Sequence, residues 1–129
     1  MAEHFDRYFA VNVRGALFGI QAALPVLSEG ASVVLIGSIA DAMGVTPYST
    51  YAATKAALRS YARSWAAELA PRRIRVNIVA PGPTDTDMMA AVSDEMRQML
   101  IVPNPLGGMA RANEVAAAAV FSSAMPPAS

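Results

Sequence analysis

Four side chains in this 129-residue chain have the types and spacing that assisted proton transfer needs. Tyr51 and Lys55 lie four residues apart, so on a helix both project from one face. Ser38 stands thirteen residues ahead of the tyrosine, just past an apolar run that ends at Ile36. Asn12 falls in an earlier helical stretch. A tyrosine hydroxyl can hand a proton to a reacting oxygen, although a free phenol ionises only near about 10. An ammonium beside it favours the phenolate, which is the service Lys55 can provide. A serine hydroxyl can hydrogen-bond the reacting oxygen, fixing it and stabilising developing charge. Lys55 is also the only lysine among ten basic residues, the rest being arginine. A compact, tunable ammonium stands here where elsewhere the chain uses a planar fork.

Composition excludes several other chemistries. With no cysteine, disulfide frameworks, thiolate metal sites and cysteine nucleophiles are ruled out. The single histidine, His4, leaves no partner for a histidine metal cluster or a Ser-His-Asp triad and reads as a surface residue. Asp85 and Asp87 read as a short helix start, so no metal site is expected. Ten Lys and Arg balance ten Asp and Glu, which gives no basic footprint for nucleic acid. A hydrophobic share of 54% with mean hydropathy +0.34 excludes a disordered chain. Apolar stretches are broken by Arg14, Gln21, Pro25 or Glu68 well before the roughly 20 residues that a bilayer span needs. Residues 1–7 hold no apolar signal core. No membrane partner is expected, and a cytoplasmic location is the default.

The elements that must position the four residues follow from periodicity. Phe5, Phe9, Val13, Leu17, Ile20 and Leu24 recur at helical spacing, predicting a long amphipathic helix over 2–28 that Pro25 kinks or ends. Gly15 and Gly19 suggest close packing against that helix. Residues 31–36 (ASVVLI) read as a strand buried on both faces, as in a parallel sheet. A loop over 37–48 leads to a second long helix over 49–70, with Leu58, Ala62, Trp65 and Leu69 on one side and a stop at Pro71. Residues 74–80 form a second strand, followed at once by Pro81-Gly82-Pro83. Helical pieces over 86–100, a Pro- and Gly-rich loop over 102–111 and an alanine-rich helix over 113–124 complete the pattern, with a loose tail at 125–129. The alternation is that of an α/β sheet with crossover helices. Met88, Met89, Met96 and Met99 read as adaptable apolar filling of a lid.

The series N-V-R-G from Asn12, I-G-S at Ser38, Y-A-A-T-K from Tyr51 and a strand running into P-G-P-T-D-T resembles the short-chain dehydrogenase/reductase family, from Phe5 to Ala124. The resemblance implies a Rossmann-type doubly wound parallel sheet in partial form, with about two strands. The glycine-rich turn that begins such enzymes and the last strand both lack a counterpart here. Residues 1–124 would then be a partial catalytic domain. The implied reaction is reversible hydride transfer between NAD or NADP and a small-molecule alcohol or carbonyl compound. By the same resemblance, Tyr51 is the general acid/base, Lys55 also binds the nicotinamide ribose, and Ser38 holds the substrate oxygen. Asn12 holds a water in the proton relay. Pro81, Gly82, Thr84 and Thr86 border the cofactor, the Thr84 backbone near the carboxamide and Thr86 near a phosphate. A homo-oligomer through the helices at 2–28 and 49–70 is implied as well. The alternative is a catalytically silent chain that retains only the helical association surface. Taken alone, Ser38 would be an ordinary turn cap, and Tyr51 with Lys55 an ordinary surface pair.

Overall fold

A computed structural model of the chain describes residues 1–124 and Pro126; the expected tail at 125–129 otherwise lies outside the described residues. The long first helix is three consecutive pieces: α1 (Ala2–Phe9), a π-helical turn (Ala10–Arg14) and α2 (Gly15–Ala23). The wide turn closes where the Gly15 N–H donates to the Ala10 carbonyl five residues back. Helical structure stops at Ala23, two residues before Pro25, so proline ends the helix while the irregularity sits at Asn12. The expected close packing at the glycines is not there. A Cβ on Gly19 would meet nothing within 4 Å, and one on Gly15 only the Ala10 carbonyl at 3.6 Å.

Strand β1 (Ser32–Ile36) pairs in parallel with β2 (Arg75–Val79), in a register that sets Val33 opposite Val76 and Leu35 opposite Ile78. The crossover is α3 (Ser49–Leu69). Thr54, Leu58, Ala62 and Trp65 recur at helical spacing along its buried face. Trp65 and Ala62 meet Ile20 of α2 and Val76 of β2 in the core, with Val33, Leu35 and Ile78 packed against them. Alternation sends Arg75 to the other side of the sheet. There its guanidinium donates to the Ser122 and Ser123 carbonyls of α6 (Ala112–Ala124). The expectation of a first strand buried on both faces is corrected. Every residue of β1 is half-buried or exposed, and Ile36 is 46% exposed, because β1 has a strand neighbour, β2, along one edge only among the described residues.

Past α3 a 3₁₀ turn (Ala70–Arg72) carries Pro71, and Arg73 takes a left-handed backbone at φ 56° to redirect the chain into β2. Arg72 reaches back to the Leu24 and Leu27 carbonyls at the end of α2. The segment after β2 holds the expected helical pieces and, beyond the two expected strands, a second short parallel pair. Strand β3 (Thr84–Asp85) pairs in parallel with β4 (Ala110–Arg111), closing a loop that holds α4 (Asp87–Ala90) and α5 (Asp94–Ile101). The helical pieces begin on side-chain caps: the Thr86 hydroxyl accepts from the Met89 N–H and the Ser93 hydroxyl from the Met96 N–H. No described helix is long and apolar enough to cross a membrane.

Candidate active site at the end of β1

The first turns of α3 lie against the C-terminal end of β1, and Lys55 joins the two. Its ammonium donates to the Ile36 carbonyl at 3.1 Å and stands 5.7 Å from the centre of the Tyr51 ring. Burial of the amine holds its pKa below the ordinary lysine value. One bond leaves two ammonium hydrogens for a ligand. The cation near the ring face is also attracted by its π system.

Asn12 enters from the π turn. Its amide donates to the Thr54 hydroxyl at 3.0 Å, and that hydroxyl donates to the Tyr51 carbonyl at 2.6 Å. Thr54 is completely buried, so both of its bonds are needed to offset the loss of water. The extra residue in the π turn shifts side-chain direction locally, a habit of helices at functional sites. From α1, the Tyr8 ring meets the Tyr51 ring edge-on at 6.2 Å between centres.

Ser38 is half-buried and caps a 3₁₀ turn (Ile39–Ala42), its Oγ accepting from the Ala40 N–H at 3.2 Å. Capping uses a lone pair and leaves the hydroxyl hydrogen free to donate. Gly37 before it lies close against β2. A Cβ there would come within 2.8 Å of the Ile78 Cδ1, and the Gly37 N–H donates to the Val79 carbonyl at 2.7 Å. The Ile39 N–H donates to the Pro81 carbonyl at 3.1 Å, bringing the loop at Pro81 and Gly82 beside the serine turn. Thr84 and Thr86 are farther along this loop, with hydroxyls that bond locally, to the Gly82 and Thr84 carbonyls. Among the described residues no group of three or more His, Asp or Glu could hold a metal ion.

Sequence reading missed Thr54, Tyr8 and the pair Asp41 and Arg59. One step of four back from Leu58 reaches Thr54, and a threonine in a buried apolar stripe signals an internal hydrogen bond. The others carry no local signal, because their partners lie 18 or more residues away in the chain.

A parallel strand pair whose crossover helix carries Tyr51 and Lys55, with Lys55 bonded to the strand end just before Ser38, defines a class. The chain belongs to the short-chain dehydrogenase/reductase family, as a match of residues 1–123 to the family model described as enoyl-(acyl carrier protein) reductase shows. Among its relatives, an oxidoreductase of Sarocladium schorii is 38% identical over 122 residues, covering 92% of this chain and 49% of the relative. The 3-oxoacyl-(acyl-carrier-protein) reductase FabG of Salmonella typhimurium is 42% identical over 89 residues, 69% of this chain and 36% of the relative. The solved short-chain dehydrogenase of Burkholderia cenocepacia in complex with NADP superposes with a TM-score of 0.88 at 36% identity, over 94% of this chain and 49% of that one. The chain thus spans half or less of the length of these relatives.

Proposed function

We propose that residues 1–124 form the catalytic portion of an NAD(P)-dependent oxidoreductase acting on a small alcohol or carbonyl compound. The observation that carries this reading is the position of Lys55, between the Tyr51 ring and the end of β1 where Ser38 begins its turn. A nicotinamide cofactor, when bound, supplies or accepts the hydride. The residues present fit such a group: Lys55 has ammonium hydrogens left for ribose hydroxyls, beside an open loop in which Gly82 is exposed. Pro81, Gly82, Thr84 and Thr86 would flank it.

In carbonyl reduction the Ser38 hydroxyl donates a hydrogen bond to the substrate oxygen and Tyr51 delivers the proton to it; in alcohol oxidation Tyr51 takes that proton back. The Lys55 ammonium favours the phenolate that this exchange leaves behind. Asn12, with its amide hydrogens turned to Thr54, keeps Oδ1 free to hold a water for reprotonation. Reduction of a panel of small ketones, followed by loss of NAD(P)H absorbance, should fall by at least about 10² in kcat on Tyr51→Phe. A variant working at the full rate overturns the assignment.

A second reading, a silent chain that associates through its helices, has one observation in its favour. Phe5, Val11 and Phe18 are each more than half exposed or at that level on α1, the π turn and α2 (50%, 68% and 57%). Under this reading the chain sediments as a homo-oligomer and leaves NADPH fluorescence unchanged. Binding of NADPH with turnover removes it.

A further inference from the structure

Asp41 and Arg59 form the most enclosed ion pair among the described residues, and neither has a part in the chemistry just described. The Asp41 side chain has 0% exposure and Arg59 37%. The guanidinium grips both carboxylate oxygens, Nε to Oδ2 at 2.6 Å and Nη2 to Oδ1 at 2.8 Å. Asp41 belongs to the 3₁₀ turn that Ser38 caps, and its N–H donates to the Ser38 carbonyl at 3.2 Å. Arg59 lies one helical turn beyond Lys55 and two beyond Tyr51, on the same face of α3. That face therefore holds the chain on both sides of Ser38: Lys55 takes the Ile36 carbonyl two residues before it, and Arg59 takes the Asp41 carboxylate three residues after it.

We infer that Asp41 and Arg59 are positioning residues that fix the Ser38 hydroxyl relative to Tyr51 and Lys55, an inference that rests on the catalytic reading above. A buried carboxylate stays buried only while its partner is in place. The planar, two-point contact sets direction as well as distance, which a lysine or an apolar contact at position 59 would not. If stability alone were served, apolar side chains of similar volume would do as well or better. With the clamp closed, residues 36–41 cannot lift from α3 without breaking both charge-assisted bonds. Ser38 then keeps one geometry through the reaction, where a misplacement of an ångström costs orders of magnitude in rate.

Two measurements on the full chain test this. Amide hydrogen exchange in Asp41→Asn and in the milder Arg59→Lys should speed up by about tenfold or more at Gly37, Ile39 and Ala40, with the core amides of Leu58 and Ala62 unchanged. Exchange that rises uniformly, or nowhere, overturns the inference, because a pair serving general stability loosens the whole fold. In turnover, Asp41→Asn should lower kcat about tenfold with KM within about twofold, and should cost nothing further in a Ser38→Ala background. Losses that multiply in the double variant overturn it too. Failure of the catalytic reading would appear separately, as full activity in Tyr51→Phe.

Discussion

Helix α3 and the segment from β3 to β4 are held by different means. Four residues of α3 are buried, and its face toward β1 adds the Lys55 and Arg59 contacts. From Thr84 to Arg111 no residue is buried, and Met88, Met99, Val102 and Leu106 are 72%, 61%, 75% and 95% exposed. What order this second region has comes from the β3–β4 pairing and from turn and cap bonds. Arg97 alone donates to the Met89, Ala90 and Val92 carbonyls while pairing with Asp94. The contrast separates a packed frame from an outer cover whose apolar side chains stay exposed. Hydrogen-bonded but unburied segments are where proteins open first.

The comparison breaks most readily at its apolar extremes. Trp65, 8% exposed against Ile20 and Val76, should cost about 3–5 kcal/mol on Trp65→Ala in urea unfolding, since both burial and packing are lost. Leu106→Ala, at a position 95% exposed, should stay within about 0.5 kcal/mol. Similar costs at the two positions would mean that the cover is packed in solution and the contrast is false.

A polar substitution sharpens the same contrast. Thr54→Val keeps the shape but leaves the Asn12 amide without its acceptor and the Tyr51 carbonyl without its side-chain donor. The expected cost is about 1–2 kcal/mol, below Trp65→Ala and above any single change in the cover. Replacing Asn12 as well should recover part of it, because an unpaired amide is then no longer held beside a methyl group. Additive losses in the double variant would show that the two side chains act independently.

How much of this was legible depended on the range of the interaction. The β-branched run ending at Ile36 and the stripe through Leu58 and Trp65 are local patterns, and both elements formed within a residue or two of expectation. The family and the parallel α/β architecture were legible for the same reason: the order of the motifs survives in the sequence. The π turn at Asn12 was not, because it needs one extra residue in a turn and no helix-breaking residue marks it. Strands β3 and β4 are two residues each and pair across 26 positions, too short for any periodicity to show. The Asp41 and Arg59 pair is invisible for a related reason: charges 18 apart become partners only once α3 lies along the turn. Even the exposure of β1 was unreadable, since an apolar strand has the same sequence whether or not neighbours cover it.

The smallest expected effect lies where the cover meets α6. Arg111 precedes the first turn of that helix, and the Glu114 carboxylate accepts its backbone N–H at 2.7 Å and pairs with its guanidinium at 3.4 Å. The backbone hydrogen bond, followed by the side-chain bond and the charge of Arg111, holds the Glu114 carboxyl below the ordinary glutamate value. A carboxyl depressed in the folded state contributes stability above its unfolded pKa, and that contribution disappears as pH falls through the folded one. Glu114→Gln should therefore lower the melting temperature slightly near neutrality and make no difference once both forms are measured in acid. The Gln amide oxygen can still accept the Arg111 N–H, so the gap measures the charge rather than the cap. A gap that persists unchanged at low pH would show that the cap geometry, and not the ionised carboxylate, orders the start of α6.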